Sequence, residues 1–324
     1  MKKRHLFIGV GVGAVTGFVV WKVLSRIDTI DWDAVNKYVP HSDKSNFITV
    51  DGIRMHYQRF SNEAARKTII LIHGYNSSCL VWKTVAPLFA EKGFEVIAVD
   101  LIGFGFSQKP DWFEYSIESQ ARMLIRFMNR MGLGKAIVIG SSYGGAVAAS
   151  MALDYPERIE KLILVSPVCN NKPLSHPLMR MARVPVLAEV ISALLVDSRS
   201  FIKWRMKNSL SPSNYGLMSK ERIEMLRMPI RAKDSQSALI ATARRWDANR
   251  IQEDAHLISQ PTLILWGEDD KVIDISNARR LYEDILNSRL VIFKNCGHLP
   301  QEEKSNDFVE VVTSFLSDRK ESKE

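Results

Sequence analysis

The pentapeptide Gly-Ser-Ser-Tyr-Gly at residues 140–144 constrains the fold more than any other part of this chain. An apolar run at residues 135–139 precedes it and a stretch of small residues at 145–149 follows it, which predicts a strand, a sharp turn and a helix. The two glycines remove Cβ atoms where strand and helix backbones crowd, so the central serine can adopt a strained conformation and project its hydroxyl. The pattern predicts a nucleophile elbow, with Ser142 as the nucleophile.

A serine hydroxyl is a weak nucleophile, so the elbow predicts a histidine base and a carboxylate further along the chain. Residues 261–266 form an apolar run that predicts a short buried strand, and an acidic turn follows it. Asp270 in that turn is the predicted triad acid, with its neighbour Asp269 as the rival. A second apolar run at residues 290–293 leads into a loop that contains glycine and proline, in which His298 is the predicted general base.

The chain order serine, aspartate, histidine, here Ser142, Asp270 and His298, is that of the α/β-hydrolase fold. Over residues 46–317 the sequence resembles an α/β hydrolase with an inserted cap. The resemblance implies a mostly parallel central sheet with helices on both faces, and a helical cap inserted into this core. It also favours Asp270 over its acidic neighbour, because Asp270 occupies the expected place in the family's turn.

The loop ahead of the elbow supports the same resemblance. Residues 73–76, His-Gly-Tyr-Asn, follow the apolar run at 69–72 and match the oxyanion loop of such hydrolases. The resemblance implies that the backbone N–H groups of Tyr75 and Tyr143 form the oxyanion hole. It also makes His73 a structural group ahead of that loop rather than a second base.

Two further strings match the family. Residues 100–107 resemble its Asp-x-x-Gly-x-Gly-x-Ser turn, in which Asp100 is expected to stabilise the turn rather than react. Residues 155–165 match the link from the nucleophile helix to the next strand, and Trp82 stands nine residues after the oxyanion-loop histidine. Together these strings are specific for the fold.

The predicted function is that of a serine hydrolase that cleaves hydrophobic or lipid-derived carboxylic esters through an acyl-enzyme. The same triad also serves thioester hydrolysis and carbon–carbon bond hydrolysis, and a ligand sensor or scaffold with slow turnover is a further alternative. A serine at the elbow argues against haloalkane dehalogenases and epoxide hydrolases, which would use an aspartate. No cofactor is expected, and the remaining histidines lack the spacing of metal ligands.

The start of the chain predicts a membrane anchor. Residues 6–24 contain a single charge, Lys22, and as a helix they would be about 28 Å long, close to the thickness of a bilayer's hydrocarbon core. Basic residues precede the segment and three aspartates follow it within residues 1–33. The positive-inside rule then predicts a single-pass anchor with the catalytic domain on the non-cytoplasmic side. The alternative is a cleaved signal peptide and a secreted enzyme.

The predicted organisation is a core of residues 34–166 and 256–317, a helical cap at 167–255 and a charged tail at 318–324. The cap holds fifteen lysines and arginines against eight acidic residues. Beside a membrane anchor, such a surplus favours contact with anionic lipid headgroups, while a solvated helical surface is the alternative. Nucleic acid is not an expected partner, since no nucleic-acid-binding motif accompanies the charge.

The predicted cap also contains apolar stretches. Residues 184–187 and 190–196 are apolar, and Phe201, Trp204 and Met206 follow them among basic residues. One face of these helices is expected to pack on the core. The surplus apolar residues could instead line an acyl-chain pocket or an interfacial lid.

Overall fold

An eight-stranded sheet forms the centre of the protein in a computed structural model that describes residues 27–61, 65, 67–175, 177–181 and 183–317. The strands are β1 Ser45–Val50, β2 Ile53–Phe60, β3 Thr68–Ile72, β4 Glu95–Val99, β5 Ala136–Ser141, β6 Ile159–Val165, β7 Thr262–Gly267 and β8 Ser288–Phe293. Their spatial order is β1-β2-β4-β3-β5-β6-β7-β8. Strand β2 runs antiparallel to β1 and β4, and the other pairs are parallel. The predicted mostly parallel α/β fold is confirmed.

Helices connect these strands. Within the described residues they are α1 Trp32–Val35, α2 Val85–Glu91, α3 Ile117–Arg130, α4 Tyr143–Asp154, α5 Pro177–Met181, α6 Leu187–Ile191, α7 Arg199–Ser209, α8 Lys220–Arg227, α9 Lys233–Arg244, α10 Asn249–Glu253, α11 Ser276–Asp284, α12 Pro300–Glu303 and α13 Ser305–Ser317. Helices α3, α7 and α8 begin at serine N-caps, whose hydroxyl oxygens accept a backbone N–H of the first turn.

The core lies on both faces of the sheet because successive side chains of a strand point to opposite sides. In β3, Ile70 and Ile72 pack with helices α3 and α4, whereas Ile69 and Leu71 pack with α2 and α13. All four side chains are fully buried. Such strands are covered on both faces, which explains why the sequence shows them as continuous apolar runs rather than alternating ones.

The first two strands were not predicted. Strand β2 buries polar side chains, His56 and Gln58, among its apolar ones, and β1 is only partly buried. Neither strand therefore shows a continuous apolar run. Strand β2 pairs with β4, and β1 pairs with β2 at the edge of the sheet. The pairing of β2 with β4 is a tertiary contact that no local sequence pattern predicts.

The chain crosses over at β3, which places the functional loops together. Strand β3 lies between β4 and β5, so the chain leaves it on one side and returns on the other. In open parallel sheets, the loops at such a switch point form a crevice at the carboxyl ends of the strands. A Cβ at Gly74, in the loop after β3, would lie 3.1 Å from the Cβ of Ser142, in the turn after β5.

Six described helices, α5 to α10, lie between β6 and β7, in the segment predicted to form the cap. Part of this segment packs inward: Ile202 and Met206 of α7 belong to the same buried cluster as the sheet. Other apolar side chains stay exposed, among them Val184 and Val186, at 48% and 74% of their surface. The segment therefore has two apolar faces, one that packs on the core and one that is exposed.

The first described residues contact this segment. The carbonyl oxygen of Ile27 accepts a hydrogen bond from Lys233 N (3.0 Å), and Asp28 pairs with the Lys233 side chain (3.0 Å). No helix in the part of the chain that the structure describes is long and apolar enough to cross a membrane. The predicted anchor at residues 6–24 and the charged tail at 318–324 lie outside the described residues.

Candidate active site

Ser142 occupies the turn between β5 and α4. Its backbone has φ 55° and ψ −118°, a strained conformation for a residue with a side chain. Its N–H donates to the carbonyl of Val165 (2.9 Å), which fixes the turn against the neighbouring strand. A Cβ at Gly140 would collide with the Gly144 carbonyl, and one at Gly144 would collide with the His73 carbonyl. The flanking glycines are therefore required, as predicted from the sequence.

His298 lies in the loop after β8, beside the predicted acid. Its Nδ1 is 2.8 Å from Oδ2 of Asp270, and both side chains are buried. The other carboxylate oxygen of Asp270 accepts the N–H groups of Val272 (2.8 Å) and Ile273 (3.0 Å), which holds the carboxylate in place. With Nδ1 donating to Asp270, Nε2 is the nitrogen that can accept a proton.

The rival acid points elsewhere. Oδ2 of Asp269 accepts a hydrogen bond from the hydroxyl of Ser211 (2.5 Å), in the segment between β6 and β7. The geometry thus brings Asp270, and not Asp269, to His298.

Ser142 and His298 line one cavity of about 470 Å³ between the sheet and the inserted helices. Its core wall comes from the loops after β3, β5, β7 and β8, and its other wall from α5 to α9. The apolar side chains contributed by these helices and the turns that follow them are Met179, Ala188, Ile191, Leu195, Val196, Phe201, Trp204, Met206, Leu210, Leu226, Leu239, Ile240 and Trp246. The predicted nucleophile and base therefore face a largely apolar space.

The two predicted oxyanion residues lie side by side. Tyr143 is the first residue of α4, so its N–H has no acceptor within the helix, and the helix N-terminus favours negative charge. Tyr75 follows Gly74 in the loop after β3. The two rings are 6.4 Å apart, and both pack against Trp246. Burial raises the pKa of both tyrosines well above the usual value, so they are neutral.

His73 and Asp100 brace these loops. His73 Nδ1 lies 2.8 Å from the carbonyl of Gly74, and its Nε2 accepts the N–H of Leu101 (3.1 Å). Burial lowers the pKa of His73, which keeps the imidazole neutral. The side chain therefore joins the oxyanion loop to the turn after β4, a role consistent with a structural group.

Asp100 also forms a buried group with His56 and Cys79. Potential ligand atoms of these three residues lie within 4.8 Å of one another. However, the Asp100 carboxylate already binds His56 Nδ1 (2.7 Å) and the backbone N–H groups of Cys79 (2.6 Å) and Phe106 (2.9 Å). Its oxygens are thus occupied by hydrogen bonds that shape the turn, and we assign the group a structural role.

Glu303 supports the site, although its role was not predicted from the sequence. Oε1 accepts the N–H groups of Gly297 (2.9 Å) and Leu299 (3.3 Å), on either side of His298. Oε2 accepts the N–H of Ser211 (2.8 Å) and the side-chain amide of Asn214 (2.8 Å), between α7 and α8. One carboxylate therefore ties the histidine loop to the inserted segment. Nothing in the sequence distinguishes it from the preceding glutamate.

Two arginines of the inserted helices also line the cavity, and neither was predicted. Arg222 of α8 forms a buried ion pair with Glu302. Arg205 of α7 donates from Nη2 to the carbonyl of Asn76 (3.0 Å), in the oxyanion loop. Burial lowers the pKa of each guanidinium to about 10, so both remain charged at neutral pH.

A serine held in a strained turn, in the same cavity as a histidine whose Nδ1 is bound to a carboxylate, can transfer an acyl group through a covalent intermediate. On a mostly parallel sheet with the chain order found here, this defines a serine hydrolase of the α/β-hydrolase fold. Residues 63–305 match the family described as serine aminopeptidase S33, and the chain belongs to this family.

Named relatives and solved structures agree with this class. The uncharacterized hydrolase YugF of Bacillus subtilis is 29% identical over 83% of this chain and 96% of its own. A 2-hydroxy-6-oxo-6-phenylhexa-2,4-dienoate hydrolase of Comamonas testosteroni is 29% identical over 87% of this chain and 95% of its own.

Two solved structures share the fold. The meta-cleavage product hydrolase CumD is 25% identical, with a TM-score of 0.70 over 85% of this chain and 98% of its own. A membrane phospholipase A described as a bacterial virulence factor is 22% identical, with a TM-score of 0.72 over 98% of each chain. At 22% identity the likeness concerns the fold.

Proposed function

We propose that this protein hydrolyses carboxylic esters with hydrophobic acyl groups through an acyl-enzyme on Ser142. The observation that carries the proposal is the strained Ser142 turn at the wall of an apolar cavity of about 470 Å³. Such a cavity suits an acyl chain, because apolar surface that leaves water contributes about 25 cal/mol per Å² to binding.

In this proposal, His298 accepts the proton of Ser142 as the hydroxyl oxygen attacks the ester carbonyl. Asp270 holds the imidazole in the tautomer that leaves Nε2 free and stabilises the imidazolium. The backbone N–H groups of Tyr75 and Tyr143 stabilise the oxyanion. His298 then gives its proton to the leaving alcohol, and water, activated by the same histidine, releases the acid.

We further propose that the enzyme works at a lipid surface. Residues 6–24 would form a single-pass anchor, with the catalytic domain on the non-cytoplasmic side. The alternative is a secreted enzyme whose signal peptide is cleaved. Two contacts support this proposal. Ile27 and Asp28, a few residues after that segment, bind the start of α9, whose Leu239 and Ile240 line the cavity. Three residues of chain span at most about 11 Å, so an anchored chain would hold α9 near the bilayer.

The outer face of the inserted segment is suited to the same surface. Val184, Val186 and Leu187 are exposed, and Arg183 lies beside them. Apolar side chains that insert among headgroups, together with basic residues that attract anionic lipids, are typical of interfacial proteins. The segment continues directly into Ala188 and Ile191, which line the cavity.

Carbon–carbon bond hydrolysis is the second candidate. Several relatives are named as hydrolases of 2-hydroxy-6-oxo-dienoates, at 25 to 29% identity. The same serine, histidine and aspartate would serve such a reaction. Thioester hydrolysis and a ligand sensor with slow turnover would use the same serine, histidine and aspartate. Measured turnover numbers on esters and thioesters separate both from the ester proposal.

The test is hydrolysis of p-nitrophenyl esters of rising acyl length by the full chain in detergent, beside Ser142→Ala. Because triad members act as a unit, we expect Ser142→Ala to lower kcat by about 10⁶-fold. A 2-hydroxy-6-oxo-dienoate is assayed in parallel by its loss of absorbance.

The two candidates predict opposite results. Serine-dependent turnover that peaks at one acyl length supports the ester proposal. Faster serine-dependent cleavage of the dienoate than of every ester would instead favour the carbon–carbon hydrolase. Ester turnover that survives Ser142→Ala would refute the nucleophile assignment, and the unchanged Tm of that variant shows that it is folded.

A further inference from the structure

The two arginines of the cavity differ in their partners. Arg222 is neutralised by Glu302, with which it forms a buried ion pair. Arg205 has no such partner: among the described residues, no carboxylate lies within ion-pair distance of its guanidinium, and its one side-chain hydrogen bond goes to the backbone carbonyl of Asn76. Nη1 of Arg205 is enclosed by the protein and has no hydrogen-bond partner there.

The other ionisable groups of the cavity wall do not compensate this charge. They are Arg222 and Glu302, which neutralise each other, Tyr75, which is neutral, the exposed Lys271, and His298, which is bound to Asp270. The charges of Arg222 and Glu302 cancel, so the positive charge of Arg205 is not balanced by any acidic group among the described residues of the cavity wall.

An unpaired guanidinium in an apolar wall is costly, because burial removes water without supplying an opposite charge. A neutral donor would bind the Asn76 carbonyl equally well, so this hydrogen bond alone does not account for a charged group. The missing partner is supplied when an anion enters the cavity. A planar guanidinium binds carboxylate and phosphate oxygens with several N–H groups at once.

We propose that Arg205 binds an anionic oxygen group of the substrate, a carboxylate or a phosphate, and makes the enzyme selective for esters that carry a negative charge. This inference rests on the proposed ester hydrolysis. Arg205 is hydrogen-bonded to Asn76, which directly follows Tyr75 of the oxyanion loop. The anion would therefore be held beside the reacting carbonyl, where it fixes the orientation of the ester in an otherwise apolar cavity.

The experiment compares substrates that share an acyl chain and differ in charge. One pair is p-nitrophenyl hydrogen adipate and its neutral methyl ester, and the other is 1-lauroylglycerol 3-phosphate and 1-lauroylglycerol. The variants are Arg205→Gln and the matched control Lys203→Gln. Lys203 lies on the same helix, is exposed and does not line the cavity.

Because hydrogen bonds to a buried charge are strong, we expect Arg205→Gln to lower kcat/KM for an anionic ester by about 10- to 100-fold. Its value for the neutral member should stay within about 3-fold, which also shows that the variant folds. Lys203→Gln should leave both values unchanged. A loss confined to the adipate pair assigns a carboxylate ligand, and a loss confined to the glycerol pair assigns a phosphate.

Two results would overturn the inference. The wild type could show no preference for the charged member of either pair, or Arg205→Gln could reduce charged and neutral esters equally, which would make Arg205 a support of the oxyanion loop.

A binding measurement separates this inference from the proposed function. If no ester is hydrolysed, hexanoate and hexyl phosphate can be tested for a rise in Tm of Ser142→Ala, with hexanol as the neutral control, because a ligand that binds the folded state stabilises it. A rise that Arg205→Gln abolishes supports the anion site, and no rise for either anion refutes it.

Discussion

The side chains that hold the catalytic groups, behind the core wall of the cavity, are hydrogen-bonded differently from Arg205 in the wall formed by the inserted helices, the cap wall. On the core side, Asp270 and Glu303 each accept hydrogen bonds with both carboxylate oxygens, and His73 uses both ring nitrogens. On the cap side, the lining is mostly apolar, and Arg205 has a single side-chain hydrogen bond.

This difference separates two tasks. Fully hydrogen-bonded side chains have one orientation, which a reaction that depends on near-contact distances requires. Apolar side chains and an arginine without a carboxylate partner among the described residues instead determine which shape and charge of ligand can bind. We therefore expect variants of the side chains that hold the catalytic groups to change the rate on every substrate, and variants of the cap wall to change the choice of substrate.

The sharpest test of the side chains behind the core wall compares the two adjacent aspartates. Asp270→Asn should lower kcat by about 10⁴-fold, because an amide in this place favours the wrong tautomer of His298. Asp269→Asn, which alters only the contact to Ser211, should cost less than about 10-fold. Steady-state kinetics on one good ester decide the matter, and equal losses for the two variants would refute the assignment of the acid.

Glu303→Gln tests whether the hydrogen bonds of the Glu303 carboxylate are needed to position the loop that carries His298. A glutamine offers one acceptor oxygen and an NH₂ group where four N–H donors converge, so we expect kcat to fall by about 10- to 100-fold with a smaller change in KM. The matched control is Glu310→Gln on the exposed face of α13, which should change neither constant. A loss that appears only in KM would argue that Glu303 shapes the cap and not the position of His298.

Ile191→Trp tests the cap wall and should have the smallest effect on the best substrate. A larger ring in the cavity shortens the space for an acyl chain, so kcat/KM for the longest accepted ester should fall by about 10-fold or more while short esters react as before. Leu286→Trp is the control, because Leu286 is 78% exposed and outside the cavity. If every ester loses the same factor, the comparison between the two walls fails.

Strands β3 to β7 could be predicted from the sequence because they are largely buried on both faces and form continuous apolar runs, and the edge strand β8, although partly exposed, still contains the apolar run at residues 290–293. The elbow could also be predicted, since the crowding of strand and helix leaves room only for glycine at residues 140 and 144. The predicted acid and histidine follow from the same argument, because each stands at the carboxyl end of a strand, where the loops of a parallel sheet converge.

Tertiary structure decided what no local pattern contains. Glu303 and its neighbour Glu302 are chemically identical, yet one binds backbone N–H groups around His298 and the other binds Arg222. Arg205 is one of fifteen basic residues of the predicted cap, and only packing places it in the cavity wall with no carboxylate of the described residues within ion-pair distance. The physical reason is that pairing and burial depend on residues far apart in the chain, whereas strand and turn propensities depend on neighbours.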